Sequence, residues 1–133
     1  TFVTRRLFPL KELVEAYARA SVIVVPLDPH TGVNDAMGCT ALFEAMAMGK
    51  AIVATDTHTM RSYITHGENG LLVPPGDIEA MHTAIKSLLD DAVGRARLGA
   101  AARTYALKHL DAEMLAGTLA MYFKDLLRKV GDR

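Results

Sequence analysis

The sequence predicts an α/β fold in which a doubly wound parallel sheet lies between layers of helices. Short apolar, β-branched segments alternate with segments of helical period along the 133 residues, a pattern typical of β-α-β units. The strand-like segments are apolar at every position, as expected for strands that helices cover on both faces. Half of the residues are hydrophobic and 23% are charged, so the chain can bury the core of one domain.

The first part of the chain is predicted to form a strand, a helix and a second strand. Phe2 and Val3 are a short strand candidate. Pro9 suits the start of a helix, because the N–H that proline lacks is not needed there. The apolar residues that follow it at helical spacing are Leu10, Leu13, Val14 and Tyr17. The β-branched segment 22–25 is predicted to be a buried strand.

A polar, irregular loop is predicted from residue 28 to about residue 37. The next helix is expected to cover residues 39–48, and Gly49 would end it in the left-handed conformation that glycine adopts readily. A buried strand at 51–54 and a short helical turn at 60–64 are expected to follow.

The rest of the chain is predicted to contain one strand and three helices. The strand covers residues 71–73, after a glycine-rich turn, and Asp77 is a good N-cap for the helix behind it. A further helix is expected at 95–108 and a final amphipathic helix at 111–133. We interpret residues 1–110 as the α/β core and the final helix as part of the same domain.

Charge and cysteine content bear on the class of function. Fifteen basic and fifteen acidic residues cancel, so nothing electrostatic favours nucleic acid or an anionic membrane as a partner. Cys39 is the only cysteine, which fits a reducing cytoplasm. No apolar run approaches the ~20 residues that span a bilayer.

The histidines show no metal-ligand spacing, so the sequence predicts no metal site. The arginines between 95 and 103 are expected to form a solvated face, balanced by Asp90 and Asp91.

Glu44 is the most informative residue, because it is a charge in an otherwise apolar predicted helix. A carboxylate in such surroundings needs a hydrogen-bond donor. A capping box opened by Thr40 would place its glutamate three residues later, where the chain has Phe43, so local capping does not explain Glu44. An ion pair with Lys50 or Arg61 and a hydrogen bond from a ligand remain as alternatives.

The loop before this helix has the features of an anion site. The loop contains Gly32 and Gly38, and Gly38 leaves room for close approach of a phosphate. The loop leads into a helix N-terminus, whose N–H groups attract phosphate. Thr40 lies one helical turn before Glu44, so a hydroxyl and a carboxylate share one side of the helix. A ligand with a diphosphate and a vicinal diol could use both, and nucleotide sugars have that combination.

Three blocks, in this order, resemble one enzyme family. Residues 20–27 are ASVIVVPL, residues 44–55 are EAMAMGKAIVAT and residues 66–77 are HGENGLLVPPGD. Together they resemble the donor site of the GT-B glycosyltransferases, specifically the large retaining family 4, also called glycosyl transferases group 1. The resemblance implies a Rossmann-like sheet that is an incomplete C-terminal half of a GT-B fold. It also implies transfer of a sugar from a nucleotide-diphosphate sugar to an acceptor.

The same resemblance assigns roles to single residues. Glu44 would accept hydrogen bonds from the ribose hydroxyls of the donor. The backbone groups of Gly38, Cys39 and Thr40 would approach its diphosphate or sugar. A packing role as a small buried residue is the alternative for Cys39.

The sugar end of the predicted site departs from the family pattern. Family members carry a glutamate eight residues before the ribose-binding one, and that position is Ala36 here, with Asp35 beside it. Family members usually have Gly-Phe-Gly where this chain has Met37, Gly38 and Cys39. We regard Asp35 as a candidate substitute for the glutamate and Met37 as a further candidate donor contact. No metal or other cofactor is expected.

The resemblance also implies partners besides the donor. These are an acceptor sugar or lipid-linked sugar and an N-terminal acceptor domain, which this chain lacks, so we expect the chain alone to be inactive. The first strands of the donor domain are absent too. Their absence would leave residues 22–25 with an open edge, through which we expect a homodimer or an exchanged element. A full-length enzyme of polysaccharide biosynthesis would be cytoplasmic or peripheral to the inner face of the membrane. The alternatives are a non-catalytic nucleotide- or sugar-phosphate-binding module and an interaction domain.

Overall fold

The structure is a computed structural model, and it describes residues 9–28 and 38–110. The helices and strands in these ranges are α1 (Leu10–Arg19), β1 (Val22–Val25), α2 (Cys39–Ala47), β2 (Ala51–Thr55), α3 (His58–Arg61), β3 (Leu71–Val73), α4 (Ile78–Asp90) and α5 (Ala92–His109). The predicted strand at Phe2 and Val3 and the predicted final helix at 111–133 lie outside the described residues. So does most of the predicted loop.

The three described strands form a parallel sheet in the order β1-β2-β3. Val25 pairs with Ala54 and Thr55 pairs with Val73, so the carboxyl ends of all three strands lie at one edge. The predicted α/β fold, with a parallel sheet and flanking helices, is therefore confirmed. Within the described part of the chain, β1 is hydrogen-bonded to β2 alone, and its outer edge is open.

β2 is buried on both faces, because its alternate side chains enter two separate cores. Ile52 and Ala54 face the larger core, whereas Ala51 and Val53 face the smaller one. The other buried members of the larger core are Val25, Leu42, Ala45, Met46, Met60, Ile64, Ala102 and Ala106. The other buried members of the smaller core are Val73, Leu88 and Leu98. Since α5 contributes to both cores, it joins the two layers of helices.

α2 ends in the left-handed turn that the sequence predicts. Gly49 has a φ of 65°, and the N–H groups of Gly49 and Lys50 bond carbonyls in the last turn of the helix. α5 packs directly on this turn. A Cβ on Gly99 would lie 2.2 Å from the Gly49 carbonyl oxygen, and the Arg103 guanidinium donates to the Ala47 carbonyl. The absence of a side chain at position 99 therefore sets how closely α5 approaches the sheet.

Two helices begin earlier than the sequence predicts, and in both cases a side-chain cap is the reason. α3 starts at His58 instead of residue 60, because Thr57 Oγ1 accepts a hydrogen bond from the Met60 N–H at 3.2 Å. α5 starts at Ala92 instead of residue 95, because Asp91 Oδ1 accepts from the Gly94 N–H at 2.8 Å. Each cap satisfies an N–H that has no partner within its helix.

Two of the three arginines of α5 are exposed, as predicted for a solvated face, but Asp90 and Asp91 do not balance them. Arg95 donates to the Leu88 carbonyl at the end of α4, at 2.7 Å. Arg97 donates to the Gly67 carbonyl at 3.2 Å. Arg103 donates to the Ala47 carbonyl at the end of α2. Asp91 is occupied as the cap of α5 and Asp90 pairs with a lysine of α4. These arginines therefore fasten α5 to neighbouring elements.

Candidate functional site

α2 begins at the carboxyl edge of the sheet, beside the end of β1. Gly38 is its N-cap and has a φ of 84°. A Cβ at this position would lie only 2.6 Å from Cγ1 of Val25. Gly38 therefore lets the helix start against β1, a packing role that adds to the close ligand approach predicted from the sequence.

The first turn of α2 is arranged as a site that could attract an anion. No described side chain caps this helix. Leu42 is the first residue whose N–H bonds a carbonyl of the helix, at 2.9 Å from Gly38 O. In general, the first N–H groups of a helix point out of its N-terminal end. Together with the helix dipole, they favour negative charge at the carboxyl edge of the sheet.

Glu44 is half-buried in the second turn of α2, and a neighbouring helix supplies a donor for it. The hydroxyl of Tyr17, in α1, donates to Glu44 Oε2 at 2.8 Å. The same hydroxyl lies 3.5 Å from the Ala41 carbonyl oxygen. Sequence reasoning assigned Tyr17 to the apolar face of α1 and so missed this contact.

Neither of the ion pairs considered for Glu44 forms. Lys50 Nζ donates to two carbonyls at the end of α1, at 2.8 and 3.2 Å. Arg61 pairs with Asp56, with Nη2 2.7 Å from Oδ2. Both cations are thus occupied elsewhere, and the two ion-pair alternatives are wrong.

The Tyr17 hydroxyl is held in its protonated, donating form. Burial raises the pKa of this phenol, and the hydrogen bond to Glu44 and the charge of that carboxylate raise it further. Glu44 Oε2 is therefore occupied by the protein. Oε1 of the same carboxylate has no hydrogen-bond partner in the described part of the chain.

Glu44 also lines a groove of about 350 Å³, which we call the Glu44 groove. Its other walls are Phe43, Ala47, Ala106, Leu107 and Leu110. Because α2 forms as predicted, the exposed Thr40 and the half-buried Glu44 share one side of the helix, about 6 Å apart along its axis. Cys39 is half-buried and packs against the larger core, in agreement with its alternative role as a small packed residue.

A second cavity, of about 300 Å³, lies at the carboxyl ends of the strands, and we call it the sheet-edge cleft. Residues that follow β1 and β3 line it, among them Leu27 and Pro74, together with Thr55 at the end of β2. Thr55 Oγ1 accepts a hydrogen bond from the Leu27 N–H at 2.8 Å and so ties two of these walls together. The lining includes none of the predicted site residues. Those that the structure describes are therefore placed along α2 and not around this cleft.

Some predicted site residues cannot be located. Asp35 and Met37 lie outside the described residues, as does Ala36. Among residues 9–28 and 38–110, no group of three His, Cys, Asp or Glu side chains could hold a metal ion. No helix in the same ranges has the length and apolar character needed to cross a membrane.

Comparison with protein families gives one match over most of the chain. Residues 1–91 match the family described as glycosyl transferases group 1. This range includes the three described strands of the sheet, α2 and the whole of α4.

Two curated relatives illustrate the range of similar sequences. A D-inositol 3-phosphate glycosyltransferase of Corynebacterium diphtheriae is 35% identical over 98 residues, which are 74% of this chain and 22% of the relative. An exopolysaccharide phosphotransferase of Streptomyces coelicolor is 38% identical over 84 residues, which are 62% of this chain and 8% of the relative. The matched part is thus less than a quarter of the length of either relative.

Two solved structures share the fold. Sucrose-phosphate synthase from Thermosynechococcus elongatus superimposes with a TM-score of 0.76 at 27% identity, over 90% of this chain and 28% of the synthase. Anabaena Alr3699/HepE in complex with UDP-glucose gives a TM-score of 0.75 at 21% identity, over 84% of this chain and 29% of that protein. The second likeness is evidence for the fold alone.

Proposed function

Because the chain belongs to the glycosyl transferases group 1 family, we propose that it forms the donor-binding part of a retaining glycosyltransferase. The full-length protein would transfer a sugar from a nucleoside diphosphate sugar to an acceptor sugar or lipid-linked sugar. An acceptor domain outside this chain would complete the active site. A lipid-linked acceptor would bring the protein to the inner face of the membrane, which co-sedimentation with lipid vesicles tests.

The observation that carries this proposal is the state of the Glu44 carboxylate. Its Oε2 is held by Tyr17 and its Oε1 is unoccupied in the described part of the chain. A carboxylate oxygen in that state can accept a hydrogen bond from a ribose hydroxyl. The UDP-glucose bound to Anabaena Alr3699/HepE is a ligand of the kind proposed.

The first turn of α2 would contribute to the chemistry of the leaving group. When the glycosidic bond to the donor breaks, negative charge grows on the nucleoside diphosphate. We propose that the backbone of Gly38 and Cys39, the Thr40 hydroxyl and the dipole of α2 would stabilise this charge. We propose that Asp35 and Met37, which lie outside the described residues, contribute to binding of the donor sugar.

Nucleotide titration of the full-length protein tests the proposal. UDP, GDP and ADP would be titrated into the parent and into Glu44→Gln, with Glu68→Gln as a control because Glu68 is an exposed carboxylate in the turn before β3. We expect one nucleotide to bind the parent and the control equally. Binding to Glu44→Gln should be about tenfold weaker, because a hydrogen bond to a charged acceptor is lost.

Two outcomes would contradict different parts of the proposal. If no nucleotide binds the parent, the donor-binding function is wrong. If a nucleotide binds the parent and Glu44→Gln equally, the function stands but Glu44 does not contact the ribose.

A non-catalytic nucleotide- or sugar-phosphate-binding module is the second candidate. The alanine at position 36, where family members carry a glutamate, favours this alternative. Incubating the full-length protein with donor and acceptor distinguishes the two, because only an enzyme releases free nucleotide together with a new glycoside. Mass spectrometry of the product would also separate sugar transfer from phosphate transfer, the activity named for the Streptomyces relative.

We further propose that the chain by itself forms a homodimer through β1. The outer edge of this strand is open within the described residues, and Val24 is 36% exposed. Sedimentation of residues 1–133 should therefore show association that rises with concentration. Val24→Lys should abolish it, since a charge at the edge opposes strand pairing. A monomer at every concentration would disprove the dimer.

A further inference from the structure

We propose that Tyr17 is a positioning residue, which orients the Glu44 carboxylate so that its second oxygen, Oε1, meets a vicinal diol of the ligand. This inference rests on the proposed donor-binding function. It assigns a second residue to the site, from a helix that none of the three sequence blocks includes.

The Tyr17 hydroxyl has one acceptor at an ideal hydrogen-bond distance, and this acceptor is Glu44 Oε2. Tyr17 has a single O–H proton, and its oxygen is 2.8 Å from Glu44 Oε2 but 3.5 Å from the Ala41 carbonyl oxygen. The shorter contact, to a charged acceptor, is the stronger one. Because a carboxylate is planar, fixing Oε2 also fixes the direction in which Oε1 points.

The tyrosine ring is itself held in place without any ligand. It packs against the larger core as a partly buried side chain. Lys50 donates to the Ala18 and Ala20 carbonyls, which fastens the end of α1 to the turn between α2 and β2. The hydroxyl therefore lies in position before a nucleotide arrives, and the ligand does not have to order the carboxylate on binding.

Electrostatics maintain the same arrangement over the physiological pH range. The Tyr17 phenol keeps its proton in this range, and burial and Glu44 move its pKa still further above it. In the described residues, no cation lies within ion-pair distance of Glu44 to compete for Oε1. Oε1 is thus left for an uncharged donor such as a ribose hydroxyl.

Ligands with and without ribose hydroxyls distinguish positioning from a purely structural role. The full-length parent, Tyr17→Phe and Tyr105→Phe would each be titrated with the nucleoside diphosphate that the parent binds and with its 2′,3′-dideoxy analogue. Tyr105 is the matched control, because its hydroxyl donates to the Ser62 carbonyl at 3.2 Å and has no contact with Glu44.

We expect Tyr17→Phe to weaken binding of the ribonucleotide three- to tenfold and to leave binding of the dideoxy analogue unchanged. Tyr105→Phe should change neither affinity. In the Glu44→Gln background, Tyr17→Phe should cause no further loss, since the two residues act on the same hydroxyls. An unchanged ribonucleotide affinity in Tyr17→Phe would overturn the proposal, and so would an equal loss for both ligands.

Failure of the proposed donor-binding function would give a different result from failure of the proposed role of Tyr17. If the parent binds no nucleotide, the donor-binding proposal falls and the role of Tyr17 falls with it. If the parent binds the ribonucleotide more tightly than the dideoxy analogue and Tyr17→Phe does the same, only the role of Tyr17 is wrong.

Discussion

Gly38 and Gly76 have the same left-handed backbone conformation but very different surroundings. A Cβ on Gly38 would meet Val25 at 2.6 Å, whereas a Cβ on Gly76 would meet nothing within 4 Å. We expect Gly76→Ala to lower the free energy of unfolding by about 1–2 kcal/mol, for the backbone conformation alone. Gly38→Ala should lower it by about 1–3 kcal/mol more, because of the clash.

Urea unfolding followed by circular dichroism measures both losses. Gly76→Ala serves as the control for backbone strain. Equal losses in the two variants would show that the Val25 side chain moves aside without cost.

The ion pair between Asp56 and Arg61 should make the free energy of unfolding fall slightly at acidic pH. The hydrogen bond from Arg61 lowers the pKa of Asp56 below its ordinary value of 3.8. The carboxylate therefore contributes stability above that pH, and the contribution is lost as the pH falls through the lower, folded-state pKa. Because Arg61 is largely exposed, solvent screens the pair and we expect the effect to be small.

Unfolding measured between about pH 6 and pH 2 tests this contribution. The parent should lose slightly more stability than Asp56→Asn over the acid part of the range. Asp90→Asn is a suitable control, because Asp90 belongs to an exposed pair on α4. Parallel pH profiles for the parent and Asp56→Asn would contradict the expectation.

The candidate site shows what sequence can predict about single residues. Glu44 stands out because a lone charge in an apolar helix requires a donor. The identity of that donor could not be predicted, since Tyr17 is 27 residues away in the chain and reaches Glu44 only once two helices pack. The crowding at Gly38 has the same origin, because Val25 belongs to another element.

Elements were predicted best where the residue pattern alone decides them. The predicted positions of β1 and β3 match the structure, and the predicted β2 and α2 differ from it by one residue at one end. Their signals are local, namely short apolar runs and a glycine that ends a helix. The starts of α3 and α5 were missed, because Thr57 and Asp91 act as caps.

The cap of α5 can be tested directly. Asp91→Ala should lower the free energy of unfolding by about 1 kcal/mol, because the Gly94 N–H loses its acceptor. Asp91→Asn should retain most of the stability, since asparagine caps helices about as well as aspartate. Thermal and urea unfolding measure both variants. An equal loss in both would mean that charge, and not capping, is the contribution of Asp91.

For the molecule as a whole, the two cores predict an order of local stability. β2 is buried on both faces, while most side chains of α1 are exposed to solvent. Amide hydrogen exchange should therefore be slowest in β2, because only global unfolding exposes its N–H groups. Among the helices longer than one turn, exchange should be fastest in α1. Mass spectrometry of peptides after exchange measures this order. Equal protection of α1 and β2 would contradict it.

Burial of β2 on both faces also has a consequence for the unfolded chain. A strand that helices cover on both faces carries no charge, and β2 is a continuous segment of alanine, isoleucine, valine, alanine and threonine. Such a segment is prone to aggregate whenever it is exposed during synthesis or stress. Lys50 immediately precedes it and Asp56 immediately follows it. These two charges, which hold helices in the folded protein, would also act as gatekeepers against aggregation before the chain has folded.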